Sequence, residues 1–211
     1  MLFHITTIAA AIALIGGYLL GSIPFGVIVT RLGGAGDIRA IGSGNIGATN
    51  VLRTGRKDLA LLTLIGDGGK GAVAVLLARA FLGEDAAALA GAAAFFGHVF
   101  PVWLKFKGGK GVATFFGVMI AAAWPVGLLA GAIWIAVAAL LRWSSVAAIA
   151  AAALCPTLTV VLHQPPAVTV LAAFMAVIIL YRHRENIRRL TKGQEPKIGA
   201  KTPPPPAAET A

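Results

Sequence analysis

Three short segments of the sequence combine glycine with cationic or small polar residues, a composition that suits phosphate binding. The first segment is residues 42–53, a glycine-rich stretch that ends at Arg53. Glycines let a backbone turn its N–H groups toward an anion, and arginine adds a planar fork of donors. The other residues that shape the stretch or add short donors are Gly42, Ser43, Gly44, Asn45, Thr49 and Asn50. We predict an anion site here, although a polar connecting loop would have a similar composition.

The second segment is residues 106–114, which stand just before an apolar run. Lys107 and Lys110 flank the pair Gly108 and Gly109. Backbone N–H groups, the positive end of a helix and an ammonium group together are what a phosphate needs. The spacing is not that of a P-loop. The alternative interpretation is that these lysines only mark a cytoplasmic loop.

The third segment is residues 181–190, at the end of the last apolar run. His183 and Asn186 are three residues apart, so they share one face of a helix and could converge on one ligand. The segment is also strongly basic. A polybasic helix beside the membrane that binds anionic lipid is therefore the alternative.

The composition places the chain in a membrane. Its 211 residues are 58% hydrophobic and only 12% charged, about half the charged share of a typical soluble domain. The net charge of +10 is compatible with nucleic acid, anionic lipid or anionic substrates as partners. The position of the cations has to decide among them.

Apolar runs predict seven membrane-spanning helices in one all-α bundle. Two of the runs are unusual. The second contains Asp67 and Lys70, charges that are expensive at membrane depth unless they pair or face water. The fourth would reach only about 20 Å as a helix, against a hydrocarbon core of about 30 Å. The runs cover residues 5–30, 58–82, 85–104, 111–123, 124–141, 145–162 and 166–181.

The distribution of cations predicts the orientation. All but two of the 18 Lys and Arg residues fall in the connections 31–57 and 105–110, at Arg142, or after residue 181. Seven spans put all of these on one side, and cytoplasmic loops hold the excess of positive charge. This requires a break at Trp124–Pro125. We therefore predict the N-terminus outside and the C-terminus in the cytoplasm.

The chain divides into a membrane domain, residues 1–195, and a tail, residues 196–211. The tail contains four consecutive prolines and has little to bury, so we predict that it is disordered. The sequence contains no zinc-binding spacing, and we predict no metal. His98 could be a general base or a neutral core histidine. The single cysteine, Cys155, lies in an apolar run and is predicted to pack there.

A basic, glycine-rich site beside a bilayer suggests an anionic soluble substrate that meets a lipidic one. A transporter for a phosphorylated solute is the main alternative, but the sequence lacks an internal repeat and a second basic face. A CDP-alcohol phosphotransferase would need clustered aspartates, and those present are dispersed. A purely structural membrane protein would not require three such segments on one side.

Taken together, the motifs resemble those of the bacterial acyl-phosphate:glycerol-3-phosphate acyltransferases of the PlsY type. The resemblance covers roughly residues 5–197, and the combined order and spacing are specific. The tail is the main departure from the family pattern. The residues that carry the resemblance are 21–26, 42–50 with Arg53, Asp67 with Lys70 and Gly71, 97–101, 106–114, and 183–190 with Gly193 and Glu195.

The resemblance implies a seven-helix fold in the bacterial inner membrane, with the active site facing the cytoplasm. It implies transfer of an acyl group from acyl phosphate to the 1-hydroxyl of sn-glycerol 3-phosphate, which gives lysophosphatidic acid and phosphate. No cofactor and no nucleic acid are expected. The expected partners are the two substrates, membrane lipids and a functional link to the enzyme that makes acyl phosphate.

The resemblance also assigns residues. It implies catalytic or phosphate-binding roles for five residues, while the proton acceptor stays open between a substrate phosphate and His183. The five are Ser43, Arg53, Lys110, His183 and Asn186. The residues that it places around the substrates or in support of them are Gly42, Gly44, Asn45, Asn50, Lys70, Lys107, Gly108, Gly109 and Glu195.

Overall fold

The computed structural model describes residues 5–200, which form helices joined by short loops. A helix lies at each of the seven predicted apolar runs, and a short amphipathic helix follows the last one. The helices are α1 (Thr7–Gly21), α2 (Phe25–Leu32), α3 (Ala48–Val51), α4 (Lys57–Leu82), α5 (Glu84–Val99), α6 (Val112–Ala122), α7 (Trp124–Leu141), α8 (Ser144–Val161), α9 (Pro166–Arg182) and α10 (Arg184–Thr191).

The first apolar run is one span with a break at Pro24, between α1 and α2. Proline lacks an N–H group and clashes with the preceding turn, so it interrupts the helix. Before the break, α1 packs very closely on α5. A Cβ atom added to Gly21 would lie 2.0 Å from the carbonyl oxygen of Ala94. Such close backbone contact through glycine is typical of helices that associate in membranes.

By length and composition, five helical stretches within residues 5–200 are candidate spans. They are Thr7–Leu32, Lys57–Leu82, Glu84–Leu104, Trp124–Leu141 and Ser144–Val161. A sixth results if α9 and α10, which meet at 53°, count as one broken span. The helix α6 has 11 residues, a length of about 16 Å. The seven-span count and the orientation therefore stay predictions.

The predicted break at Trp124–Pro125 is confirmed, because α6 ends at Ala122 and α7 begins at Trp124. The short α6 ends on an arginine from α4. Arg79 Nη1 donates to the carbonyl oxygen of Ala121 at 2.6 Å, and Nη2 donates to that of Ala122 at 3.2 Å. The last carbonyls of a helix have no partner within it. Arg79 thus lets α6 end early without leaving these groups unpaired.

The largest core cluster joins α5, α6 and α9 around aromatic and methionine side chains, among them Phe95, Phe115, Met119 and Met175. Cys155 lies buried in the same cluster, as predicted. One residue of the predicted tail has a hydrogen bond to the loop after α7. The N–H of Ile198 donates to the carbonyl oxygen of Arg142 at 2.7 Å. The remainder of that tail, residues 201–211, lies outside the described residues.

Candidate active site

The second and third segments meet at Lys110. Its Nζ donates to the side-chain oxygen of Asn186. A second bond joins the same two segments, because Arg182 Nη2 donates to the carbonyl oxygen of Gly108 at 2.9 Å. The bonded residues are 76 and 74 positions apart in the sequence, so the fold brings them together.

The first segment closes the same site through Arg53. This side chain is close enough to Lys110 that its charge helps to lower the pKa of the lysine. Arg53 also runs alongside Gly42, where an added Cβ atom would lie 2.8 Å from Arg53 Cδ. Gly42 has a φ of +56°, which favours glycine as well. The second and third segments therefore meet through hydrogen bonds, and the charge of Arg53 in the first segment acts on Lys110.

Asn50 organises the first segment from within. Its Nδ2 donates to the carbonyl oxygens of Ile38, Ile41 and Asn45 at 3.1, 2.9 and 2.8 Å. Its Oδ1 accepts from the backbone N–H and from Oγ of Ser43, at 3.1 and 3.2 Å. The amide is buried and fully engaged, so we assign Asn50 to loop shape rather than to direct substrate contact.

We predict that Asn50→Asp lowers kcat/KM at least as much as Asn50→Ala does. Aspartate cannot donate to the three carbonyl oxygens, and its charge would lie buried among acceptors. The value of kcat/KM should fall by about tenfold or more in each variant. Leaving buried polar groups unpaired costs on the order of 1–3 kcal/mol, and this cost disfavours the loop shape that the site needs. Steady-state kinetics with the substrates that the family resemblance implies test this. Better activity in Asn50→Asp than in Asn50→Ala would contradict the assigned role.

The first segment leaves four predicted site residues accessible, of which two have polar side chains. Ser43 and Arg53 are exposed, as are Gly42 and Gly44. The side chain of Asn45 instead accepts from the N–H of Gly47 at 3.1 Å, a local turn. Ser43 and Arg53 are therefore the groups that this segment can offer to a substrate.

The glycine pair of the second segment does not offer its N–H groups to an anion. Gly108 donates to the carbonyl oxygen of Val99, and Gly109 donates to that of His98, both at 3.2 Å. A Cβ atom added to Gly108 would lie only 2.1 Å from the His98 carbonyl oxygen. These glycines allow the loop to pack on the end of α5. This corrects the expectation that their N–H groups bind phosphate.

The two lysines of the second segment differ in environment. Lys107 is exposed, whereas Lys110 is partly buried. Burial, assisted by the positive charge of Arg189, lowers the pKa of Lys110 to about 8, even though the carboxylate of Glu195 opposes the shift. Lys110 is therefore the cation that lies within the site.

Burial, together with the positive charge of Lys110, lowers the pKa of His183 to about 4, which favours a neutral imidazole near pH 7. Its Nδ1 lies 2.8 Å from the carbonyl oxygen of Ile179, and the side chain is buried. Because a carbonyl oxygen only accepts, we assign the proton to Nδ1. This leaves the Nε2 lone pair available as a proton acceptor.

Glu195 fixes Asn186 in place. Its carboxylate accepts from Asn186 Nδ2 at 2.6 Å, from Ser145 Oγ at 2.7 Å and from Arg189 Nε at 2.7 Å. Burial acts to raise the pKa of Glu195, but these three hydrogen bonds outweigh it and hold the pKa below its usual value. Glu195 stays ionised and supports the site from behind.

Lys70 is buried in an ion pair. Its Nζ lies 2.8 Å from Asp67 Oδ1, and each side chain is 1% exposed. It also donates to the carbonyl oxygen of Ile23 at 2.7 Å. Lys70 is thus engaged with Asp67 in a buried pair and does not reach the accessible face of the site.

Comparison with known proteins identifies the family. The profile described as "Glycerol-3-phosphate acyltransferase" matches residues 11–193. Curated glycerol-3-phosphate acyltransferases of Caulobacter vibrioides (strain NA1000 / CB15N) and Jannaschia sp. (strain CCS1) are both 64% identical to this chain. The first alignment covers 97% of this chain and 96% of the relative, and the second covers 86% and 89%. The chain belongs to the glycerol-3-phosphate acyltransferase family.

Two crystal structures of PlsY (YgiH), an integral membrane glycerol 3-phosphate acyltransferase, share the fold. The glycerol 3-phosphate form matches with a TM-score of 0.85 and 40% identity, over 90% of this chain and 96% of that one. The lysophosphatidic acid form matches with a TM-score of 0.83 and 38% identity, over 89% and 94%.

The activity of this acyltransferase is acyl transfer to glycerol 3-phosphate, which gives lysophosphatidic acid and serves phospholipid synthesis. The predicted family and reaction are confirmed. The integral membrane class and the all-helical architecture are confirmed as well. The transporter, the CDP-alcohol phosphotransferase and the purely structural protein are thereby excluded.

Sequence reasoning assigned no site role to Arg182 or Arg189, yet both contact predicted site residues, Gly108 and Glu195. Arg189 lies three residues after Asn186, and both bond to Glu195. That spacing on one helix was the available signal. Arg182 gave no such signal, because its partner Gly108 is distant in sequence.

Proposed function

We propose that the donor is acyl phosphate and that the three segments form a single site for both phosphorylated substrates. The observation that carries this proposal is the cluster of cations around Lys110. Arg189, Arg182 and Arg53 all lower its pKa, and the carboxylate of Glu195 counters them. Such an excess of positive charge suits two phosphate groups, which together bring about three to four negative charges.

In this proposal Lys110 and Arg53 bind phosphate and stabilise the charge that develops on it. Ser43 adds an accessible hydroxyl, and Asn186 holds the ammonium group of Lys110 in place. Gly42 and Gly44 shape the first segment, Asn45 and Asn50 brace it, and Glu195 orients Asn186. Lys107 adds charge at the entrance.

The proposed chemistry is direct transfer. The 1-hydroxyl oxygen of glycerol 3-phosphate attacks the acyl carbonyl carbon, and the bond from that carbon to the phosphate oxygen breaks. Phosphate leaves with the electron pair, while the hydroxyl proton passes to His183 Nε2 or to a substrate phosphate. Acyl phosphate already carries a good leaving group, so stabilisation of the departing phosphate matters more than a strong protein nucleophile. No acyl-enzyme intermediate and no cofactor are required.

We infer that the site faces the cytoplasm of a bacterium, with seven spans, the N-terminus outside and the C-terminus inside. The cation distribution supports this orientation. Arg79 caps the C-terminal carbonyl oxygens of α6, so this short helix can serve as the fourth of the seven spans with those groups paired. A reporter that is active only in the cytoplasm, fused after Ala211, is expected to give signal. Signal only from a periplasmic reporter would contradict the orientation.

The donor implies a functional partner. Acyl phosphates are mixed anhydrides that must be made from an activated acyl group and phosphate, so a separate enzyme has to supply them to this membrane. The acyl chain would enter from the bilayer and the glycerol 3-phosphate from the cytoplasm.

The pKa of Lys110 predicts a pH dependence. The cationic form binds phosphate, so it is present below a pH of about 8 and is lost as the pH rises through that value. We expect kcat/KM, which reports groups of the free enzyme, to decline above a pH of about 8. Arginine stays protonated in this range, so Lys110→Arg should lose the decline. An identical decline in Lys110→Arg would assign it to another group.

The donor is tested with purified protein in lipid, labelled glycerol 3-phosphate, and either palmitoyl phosphate or palmitoyl-CoA. Lysophosphatidic acid is expected only with palmitoyl phosphate. Product only with palmitoyl-CoA would keep the acceptor and overturn the proposed donor.

A further inference from the structure

A buried cluster of ionisable side chains lies against the second segment. We call Asp67, Lys70 and His98 the polar hub. Asp67 pairs with Lys70 at 2.8 Å, and His98 Nδ1 lies 3.5 Å from Asp67 Oδ1. None of the three side chains is more than 2% exposed. Charges at such depth are costly, and apolar residues would often be as stable. The hub therefore calls for a role beyond stability.

The hub contacts the second segment through His98. A Cβ atom added to Gly109 would lie 2.2 Å from His98 Nε2, so the imidazole lies directly against the backbone next to Lys110. The N–H of Gly109 also donates to the carbonyl oxygen of His98. At the start of α6, Thr114 Oγ1 donates to the carbonyl oxygen of Asp67 at 2.9 Å. The loop that carries Lys110 is held at both ends.

The hub reaches the first segment through the broken first span. Lys70 Nζ donates to the carbonyl oxygen of Ile23 at the break before α2. The helix α2 then packs on the first segment so closely that a Cβ atom added to Gly26 would lie 1.8 Å from the carbonyl oxygen of Ile46. One continuous set of contacts therefore links the two segments that carry Lys110 and Arg53.

From these contacts we infer that the polar hub is a positioning device, which sets the second segment against the first so that Lys110 and Arg53 face the same substrates. The inference rests on the proposed site. Asp67, Lys70 and His98 act only through their neighbours, so they are positioning residues. Misplacing catalytic groups by about 1 Å costs on the order of a hundredfold in rate, so a small shift in either segment would be visible in kcat.

The test separates positioning from stability. Lys70→Met alone leaves Asp67 as an unpaired buried charge and is expected to lower the thermal stability of the purified protein. Adding Asp67→Asn removes that charge and should restore the stability. If the hub positions the segments, the double variant regains stability while kcat stays about tenfold or more below wild type. Full recovery of both would overturn the inference.

A second pair of variants decides the matter even if the double variant does not fold. His98→Leu removes the polar atoms, whereas His98→Gln keeps a donor and an acceptor. We expect lower kcat in His98→Leu than in His98→Gln. Equal, wild-type kcat in both would overturn the inference. The matched control is Asp58→Asn, which breaks an exposed pair with Arg56. Asp58 lies at the start of α4, the helix that carries Asp67 and Lys70, and its replacement should leave kcat unchanged.

A distance measurement gives a readout independent of catalysis. With Cys155 replaced by alanine, spin labels are placed at the exposed positions Leu52 and Lys105. The distance distribution between them should broaden or shift in the hub double variant and stay unchanged in Asp58→Asn. An unchanged distribution in the double variant would contradict positioning. All rates are measured with the acyl donor that the wild-type protein uses. If the proposed donor is wrong, the wild-type protein does not use acyl phosphate, and the comparison of variants with wild type is unaffected.

Discussion

Lys110→Ala is expected to lower kcat/KM by about 10²- to 10³-fold while the protein still inserts and folds. Lys110 is the partly buried cation at the point where the second and third segments meet, and its Nζ is held by Asn186. Loss of one group that stabilises developing negative charge typically has an effect of this size. Lysophosphatidic acid formation at varied donor and acceptor concentrations measures it.

Lys107→Ala is the matched control, because it removes a lysine of the same segment that is exposed. We expect a decrease of no more than a few-fold, since exposed charges are screened by water and salt. Near-normal activity of Lys110→Ala would contradict the proposed phosphate site. Equal losses in both variants would show that the segment acts through its total charge.

Arg53→Ala is expected to lower kcat/KM by about 100-fold. The side chain of Arg53 is accessible, and its positive charge helps to lower the pKa of Lys110. A guanidinium binds phosphate through a planar fork, so Arg53→Lys should recover little of the loss. The measurement is the same assay, with purified protein compared at equal amounts.

The control for Arg53 is Arg31→Ala. Arg31 is also exposed, and it is engaged with Asp37 at 3.0 Å rather than with the site. Its loss is expected to change kcat/KM little. Wild-type activity in Arg53→Ala would remove the first segment from the proposed site, and full rescue by lysine would show that only charge is needed.

The sequence predicted the elements that rest on local physics. The Trp124–Pro125 pair marks a predicted helix break that the structure contains, because proline lacks the N–H group that a continuous helix would need there. The distribution of cations also predicts that the three basic segments lie on one side of the membrane, which stays a prediction. Motif order then indicated the family.

The remaining features depend on how the helices and the second segment pack together. Gly108 and Gly109 matched a phosphate loop, but the carbonyl oxygens of Val99 and His98 take their N–H groups. Lys70 matched a family motif, yet it pairs with Asp67 in the interior, an alternative that was already open from their spacing. Neither outcome is encoded in local pattern. Each required the packing of α4, α5 and the second segment.

We propose that one site holds both substrates and that the acyl group passes directly from acyl phosphate to glycerol 3-phosphate. This proposal also has a direct test. It is tested most directly by rapid-mixing measurement of phosphate release from palmitoyl phosphate, with and without sn-glycerol 3-phosphate. We expect phosphate release only when both substrates are present, with about one lysophosphatidic acid formed per phosphate. A burst of about one phosphate per protein molecule without the acceptor would demonstrate an acyl-enzyme and contradict direct transfer.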